Sequence, residues 1–134
     1  MKHHVGFTGT QHGMTGDQLD LVEDVLHQLK HERGFNTFHH GDCIGADAEA
    51  HRIARRLDYY IVLHPPVDNS KRAFCDFDES LVPLPYLERN RAIVRAVIRL
   101  IVTPKETDEQ LRSGTWSTVR YAKKNFVRVE LIEP

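Results

Sequence analysis

Apolar and polar positions along the chain switch repeatedly between a period of two and a period near 3.6. His3–Gly9 alternates around Val5 and Phe7 and runs into Thr8-Gly9-Thr10, the pattern of a buried strand followed by a loop. Thr15-Gly16-Asp17-Gln18 then has the form of a capping box, with Thr15 as N-cap, Gln18 reaching back and Asp17 in the favourable first turn. Leu19, Val22, Val25, Leu26 and Leu29 follow as one apolar stripe, and Gly34 closes that helix. The same alternation predicts strands over 36–41, 59–64, 97–102 and 127–132, with helices over 46–57, 85–96 and 113–124. Pro65-Pro66 stops the third strand. Residues 67–83 lack a clear period and read as a long ordered loop of the kind that covers a site, anchored by Phe74, Phe77, Leu81 and Val82.

Strands and helices thus alternate throughout. Crossovers of this length are right-handed and place helices over a parallel sheet, so the expected fold is α/β, three-layered and doubly wound, with a mainly parallel sheet of about five strands. With 134 residues and no linker, repeat or low-complexity tract, the chain reads as one domain, 1–134. A formal net charge of −1 gives no general attraction to nucleic acid or to anionic membranes, so such binding would need a local patch. No long apolar run and no signal peptide is present, and Cys43 and Cys75 are not spaced as a CxxC pair; the expected setting is the reducing cytoplasm.

Candidate chemistry gathers where strands give way to helices. In a doubly wound sheet, ligands sit beyond the carboxyl ends of the strands. Gly9-Thr10, Gly41-Asp42 with Gly45, His64, and Ser113-Gly114-Thr115 all fall there. Gly41 and Gly45 allow close backbone approach, and the helix beyond them offers unpaired N–H groups and a partial positive charge, a seat for an anion. Asp47 and His51, four apart, share a face of that helix, and Asp42 or Asp47 suits ribose or base donors. Ser113-Gly114-Thr115 forms a second seat with hydroxyls added. Arg89, Asn90 and Arg91 stand near the start of the preceding helix, and Arg112 abuts the Ser-Gly-Thr turn; guanidinium forks match phosphate, although a solvated helix face is the commoner fate of any one arginine.

Four motifs in this order carry a family resemblance: Gly9-Thr10; His40-Gly41-Asp42-Cys43-Ile44-Gly45-Ala46-Asp47 through His51; Leu87-Glu88-Arg89-Asn90-Arg91; and Arg112-Ser113-Gly114-Thr115-Trp116-Ser117-Thr118. Over nearly its whole length the chain resembles the Rossmann-like domain of the Smf/DprA DNA-processing proteins, and more broadly the SLOG superfamily, which joins them to the LOG phosphoribohydrolases. The resemblance implies binding of nucleotides, nucleotide derivatives or single-stranded DNA on this face, and self-association is common in the superfamily. Two departures stand out. The further domains of DprA proteins are missing from the sequence, and Thr118 occupies the place of the catalytic glutamate of LOG enzymes, so N-glycosidic cleavage lacks its carboxylate.

The leading expectation is therefore a binder of a nucleotide or nucleotide-derived phosphate ligand, acting as sensor, carrier or nucleotide-processing protein. The alternatives are single-stranded DNA binding aided by Arg52, Arg55, Arg56, Lys71 and Arg72, and hydrolysis of nucleotide N-glycosidic bonds. Catalytic residues are not identifiable. No cofactor motif is present, and although nine histidines invite a metal, His12, His39, His40, His51 and His64 match no metal-binding spacing, and adjacent His39 and His40 must point to opposite faces of a strand. Trp116 in the first turn of a sheet-covering helix is expected to pack rather than to stack on a base.

Overall fold

A computed structural model describes residues 3–134. Its elements run β1 (His4–Gly9), α1 (Gly16–Arg33), β2 (Thr37–His40), α2 (Ala46–Arg56), β3 (Tyr60–Leu63), β4 (Glu79–Ser80), α3 (Tyr86–Ala96), β5 (Arg99–Thr103), α4 (Gly114–Lys124) and β6 (Arg128–Leu131). All six strands are parallel, in the order β4-β3-β2-β1-β5-β6. The chain winds outward from β1 to β4, then α3 carries it back across to β5 on the other side of β1. Strand order reverses between β1 and β5, where Gly9 lies in register with Thr103.

The helices cover both faces in pairs. On one face Val22, Leu26 and Leu29 of α1 and Ala50, Ile53 and Ala54 of α2 pack on Val5, Phe7, Phe38, Ile61, Leu63 and Ile101. On the other, Ile93 and Val94 of α3 and Trp116, Val119 and Ala122 of α4 pack on Leu100 and Val102. Leu100, Ile101 and Val102 thus divide between the faces as strand alternation requires. Trp116 is buried core, as its position predicts.

The capping box at α1 forms as read: the Gln18 N–H donates to Thr15 Oγ1 at 3.1 Å and the Thr15 N–H to Gln18 Oε1 at 3.0 Å. Buried Gln18 goes further, donating its amide to Pro104 O at 3.0 Å and Ile132 O at 2.9 Å, which ties the head of α1 to the end of β5 and to the C-terminal segment.

Two expectations change. The sheet has six strands rather than about five, because Glu79–Ser80 adds a short edge strand inside the stretch read as loop. Two residues are too few to carry a period. The supposed anchors of that stretch point outward: Phe74, Phe77, Leu81 and Val82 are all exposed. What fixes the segment is polar. Arg72 Nε donates to Asp42 Oδ2 at 2.6 Å, the Cys75 N–H to Asp42 Oδ1 at 2.9 Å, the Ala73 N–H to Asp42 O at 2.8 Å, and the Arg55 guanidinium pairs with Asp76 and Asp78 at 3.0 and 2.8 Å. The segment braces the turn after β2 from behind. Among the described residues no helix is long and apolar enough to cross a membrane.

Candidate functional site

Beyond the carboxyl ends of β1, β2 and β5 lies a cleft of about 390 Å³. Gly9, Thr10, Gln11 and His12 come to it from the end of β1, Gly41 and Cys43 from the turn after β2, and Asp47 from α2. Tyr86, Arg89, Asn90 and Ile93 of α3 form another wall, and Lys105, Glu106, Ser113, Gly114 and Thr115 complete the rim.

The head of α4 is open to this cleft. Ser113 Oγ accepts the Trp116 N–H at 3.3 Å and Ser113 O accepts the Ser117 N–H at 2.9 Å, whereas the Gly114 and Thr115 N–H groups find no partner among the described residues. Those two donors carry the positive end of the helix dipole. Gly114 leaves room around them: a Cβ there would meet only Asn90 Nδ2, at 4.0 Å.

Arg89 lies deep in the cleft lining, 5% exposed. Its Nη1 donates to Gly41 O at 2.5 Å and His64 O at 3.2 Å, Nε donates to Asn90 Oδ1 at 2.7 Å, and Nη2 lies 3.6 Å from Cys43 Sγ. Gly41 makes this possible, since a Cβ would fall 2.7 Å from the guanidinium carbon. The Tyr86 ring lies 5.3 Å from the same guanidinium. Asp47 is also buried; its Oδ2 accepts the Cys43 N–H at 3.1 Å. Burial pushes its carboxyl up to about 6, against the opposing pull of Arg89 and of the Cys43 amide. Burial, with Asp47 beside it, likewise raises the Cys43 thiol, which does not favour a nucleophilic thiolate.

Nine of the thirteen residues singled out in the sequence line the cleft: Gly9, Thr10, Gly41, Asp47, Arg89, Asn90, Ser113, Gly114 and Thr115. Four lie elsewhere. The Asp42 carboxylate is fully buried behind the turn and engaged by Arg72 and Cys75. Gly45, at φ +85°, backs onto the Gln11 carbonyl, which leaves no room for a side chain; the cap it forms on α2 is a packing device. Arg91 lies over the Tyr121 ring at 5.2 Å, and Arg112 is exposed. Tyr86, Lys105, Glu106 and Gln11 are additions. Sequence pattern gave no sign of them beyond Tyr86 opening a helix and Glu106 standing near Trp116, whose indole N–H it accepts at 3.2 Å.

Five of the nine histidines form two networks, one on each face of β2, as adjacent His39 and His40 must. His39 bridges His4 and His64 at 2.9 and 2.8 Å, and burial holds His64 down to about 4. His40 Nδ1 accepts the Asp42 N–H at 3.0 Å, which places its proton on Nε2; that proton is donated to His51 Nδ1 at 3.0 Å, and His51 Nε2 donates to Asp76 at 2.8 Å. His40, His51 and Cys75 are the one group of metal-ligand type gathered among the described residues. A proton already joins the two facing nitrogens, and burial, then Asp42, pushes the Cys75 thiol up to about 12. To take a metal there, His40 would have to give up the Asp42 amide.

No protein-family model matches the chain, and no curated protein sequence does. Solved structures do. The chain superimposes on the molybdenum cofactor binding protein from the phototrophic bacterium Rippkaea orientalis with a TM-score of 0.75 and 21% identity, over 100% of this chain and 78% of that one. The molybdenum cofactor carrier protein of Chlamydomonas reinhardtii gives a TM-score of 0.68 and 18% identity, over 98% and 76%. The fold is Rossmann-like. Both neighbours are named for a cofactor, not for DNA, so the Smf/DprA resemblance rests on its sequence motifs alone.

Proposed function

We propose that the cleft binds a small phosphate-bearing ligand of nucleotide or pterin type, and that the protein acts as its carrier or sensor. The observation that carries this reading is the head of α4, whose Gly114 and Thr115 N–H groups have no partner among the described residues and open to a cleft lined by Arg89. A phosphate there gains helix-terminal amides, the Ser113 and Thr115 hydroxyls and the field of a buried guanidinium, with Lys105 at the rim. The structural neighbours are named for binding or carrying the molybdenum cofactor, which supports a nucleotide-like or pterin-derived ligand here.

Single-stranded DNA binding has less support. Of the basic residues that would have joined the cleft, Arg55, Arg56 and Arg72 are held in ion pairs with Asp76 and Asp78, Glu23, and Asp42. For N-glycosidic cleavage, the Thr118 hydroxyl donates to Gly114 O at 2.8 Å and supplies no carboxylate.

Thermal-shift and native mass measurements with mononucleotides, a pterin monophosphate and a short oligonucleotide test the proposal. A ligand at 100 times its Kd should stabilise the fold by about 2.7 kcal/mol. Gly114→Asp should fold, since acids favour a helix head, yet lose that stabilisation by placing charge in the phosphate seat. A shift that survives in the variant, or no shift with any small ligand, overturns the reading; an oligonucleotide-only shift that fades with salt favours DNA instead.

A further inference from the structure

Asp47 is a buried carboxylate without a side-chain partner. It is 6% exposed and lines the cleft, yet among the described residues no Lys, Arg or His forms an ion pair with it. Its fixed donors are main-chain: the Cys43 N–H at 3.1 Å, and a weaker interaction with the Gly41 amide. The nearby Arg89 directs four of its five N–H groups to Gly41 O, His64 O, Asn90 and Cys43. Asp42, no less buried, differs in having Arg72 at 2.6 Å. Buried charges are ordinarily paired, and a carboxylate has about four acceptor positions, so Asp47 keeps unused capacity facing a cavity. Cys43 adjoins it, Tyr86 and Ile93 line the same cleft, and the Tyr86 hydroxyl is itself buried with no partner among the described residues. A thiol, a phenol ring and an aliphatic side chain suit a flat heterocycle better than a sugar.

We propose, building on the cleft reading above, that Asp47 recognises the two-donor edge of a 2-amino-4-oxo heterocycle, the ring N–H and adjacent amine shared by guanine and pterins. Two parallel N–H groups meet two carboxylate oxygens as a guanidinium fork does. Adenine sets an acceptor nitrogen beside its amine and would direct a lone pair at the carboxylate.

Calorimetric titration with GMP, dGMP, IMP, AMP and neopterin monophosphate decides it. GMP or neopterin monophosphate, or both, should bind at least about tenfold tighter than IMP, which lacks the amine, and AMP, which has the wrong edge. The better of those two names the ring. dGMP should match GMP, and Asp47→Asn should exchange GMP for XMP, whose 2-oxo group accepts the new amide. AMP and IMP binding as well as GMP overturns the inference and leaves the phosphate seat intact, and a loss of dGMP in that same series moves the contact to the ribose diol. Binding of none of the five removes the cleft reading and this inference together. The wild-type series decides the matter even if Asp47→Asn does not fold.

Discussion

At the scale of single residues, the buried ionisable groups set opposing pH dependences. The Asp47 carboxyl lies at about 6 in the folded protein against an ordinary 3.8, so its charged form costs stability that is recovered as pH falls from about 6 toward 4. His64, held down to about 4 against an ordinary 6.5, and His40, lowered by burial and by His51, act in the opposite direction: the unfolded chain takes up protons there and the fold loses stability below about 6.5. Urea unfolding across this range should therefore show Asp47→Asn more stable than wild type at about pH 8 and falling more steeply with acid, since the compensating carboxyl is gone. Parallel pH profiles would contradict that account. Gly41→Ala forces the Arg89 guanidinium away from Gly41 O and should cost roughly 1–3 kcal/mol in urea, with ligand affinity falling alongside. The sequence pointed to Gly41, Asp47 and Arg89 because each stands at a strand end or helix head where chemistry collects. It could not separate Asp47 from Asp42, five residues apart around one glycine turn, because the difference is made by Arg72, thirty residues beyond Asp42, reaching Asp42 and not Asp47.

At the scale of elements, two caps of similar chemistry have different duties. Thr15 caps α1 and is not part of the cleft lining, and Ser113 caps α4 at its rim. Each replaced by Ala should lower stability by about 1 kcal/mol, but only Ser113→Ala should also weaken ligand binding; equal binding in both variants would remove α4 from the site. Helices and buried strands were legible because their periods run over many residues and their ends carry caps. The edge strand Glu79–Ser80 was not, since its place comes from pairing with β3 and from the Asp42 and Arg55 contacts of the flanking chain. Those contacts also turn the supposed lid into a brace: Arg72→Ala strips Asp42 of its cation and should destabilise the fold by about 3–5 kcal/mol, read from the urea midpoint.

At the scale of the molecule, the reversal of strand order between β1 and β5 opens the crevice in which the ends of β1 and β2 meet α3 and the head of α4. The alternating pattern foretold a doubly wound parallel sheet, and the strand order explains why motifs far apart in sequence, Gly9-Thr10 and Ser113-Gly114-Thr115, share a cavity. The ligand's identity was beyond the pattern, because it depends on which side chains face the cavity and which are spent on the scaffold. Amide NMR during titration with GMP and neopterin monophosphate reads the head of α4 itself. The Gly114 and Thr115 N–H resonances should move furthest, as they gain a phosphate partner, with smaller shifts at Gly9, Gly41 and Cys43. Saturable shifts that spare the head of α4, or no shifts at all, would contradict phosphate binding there.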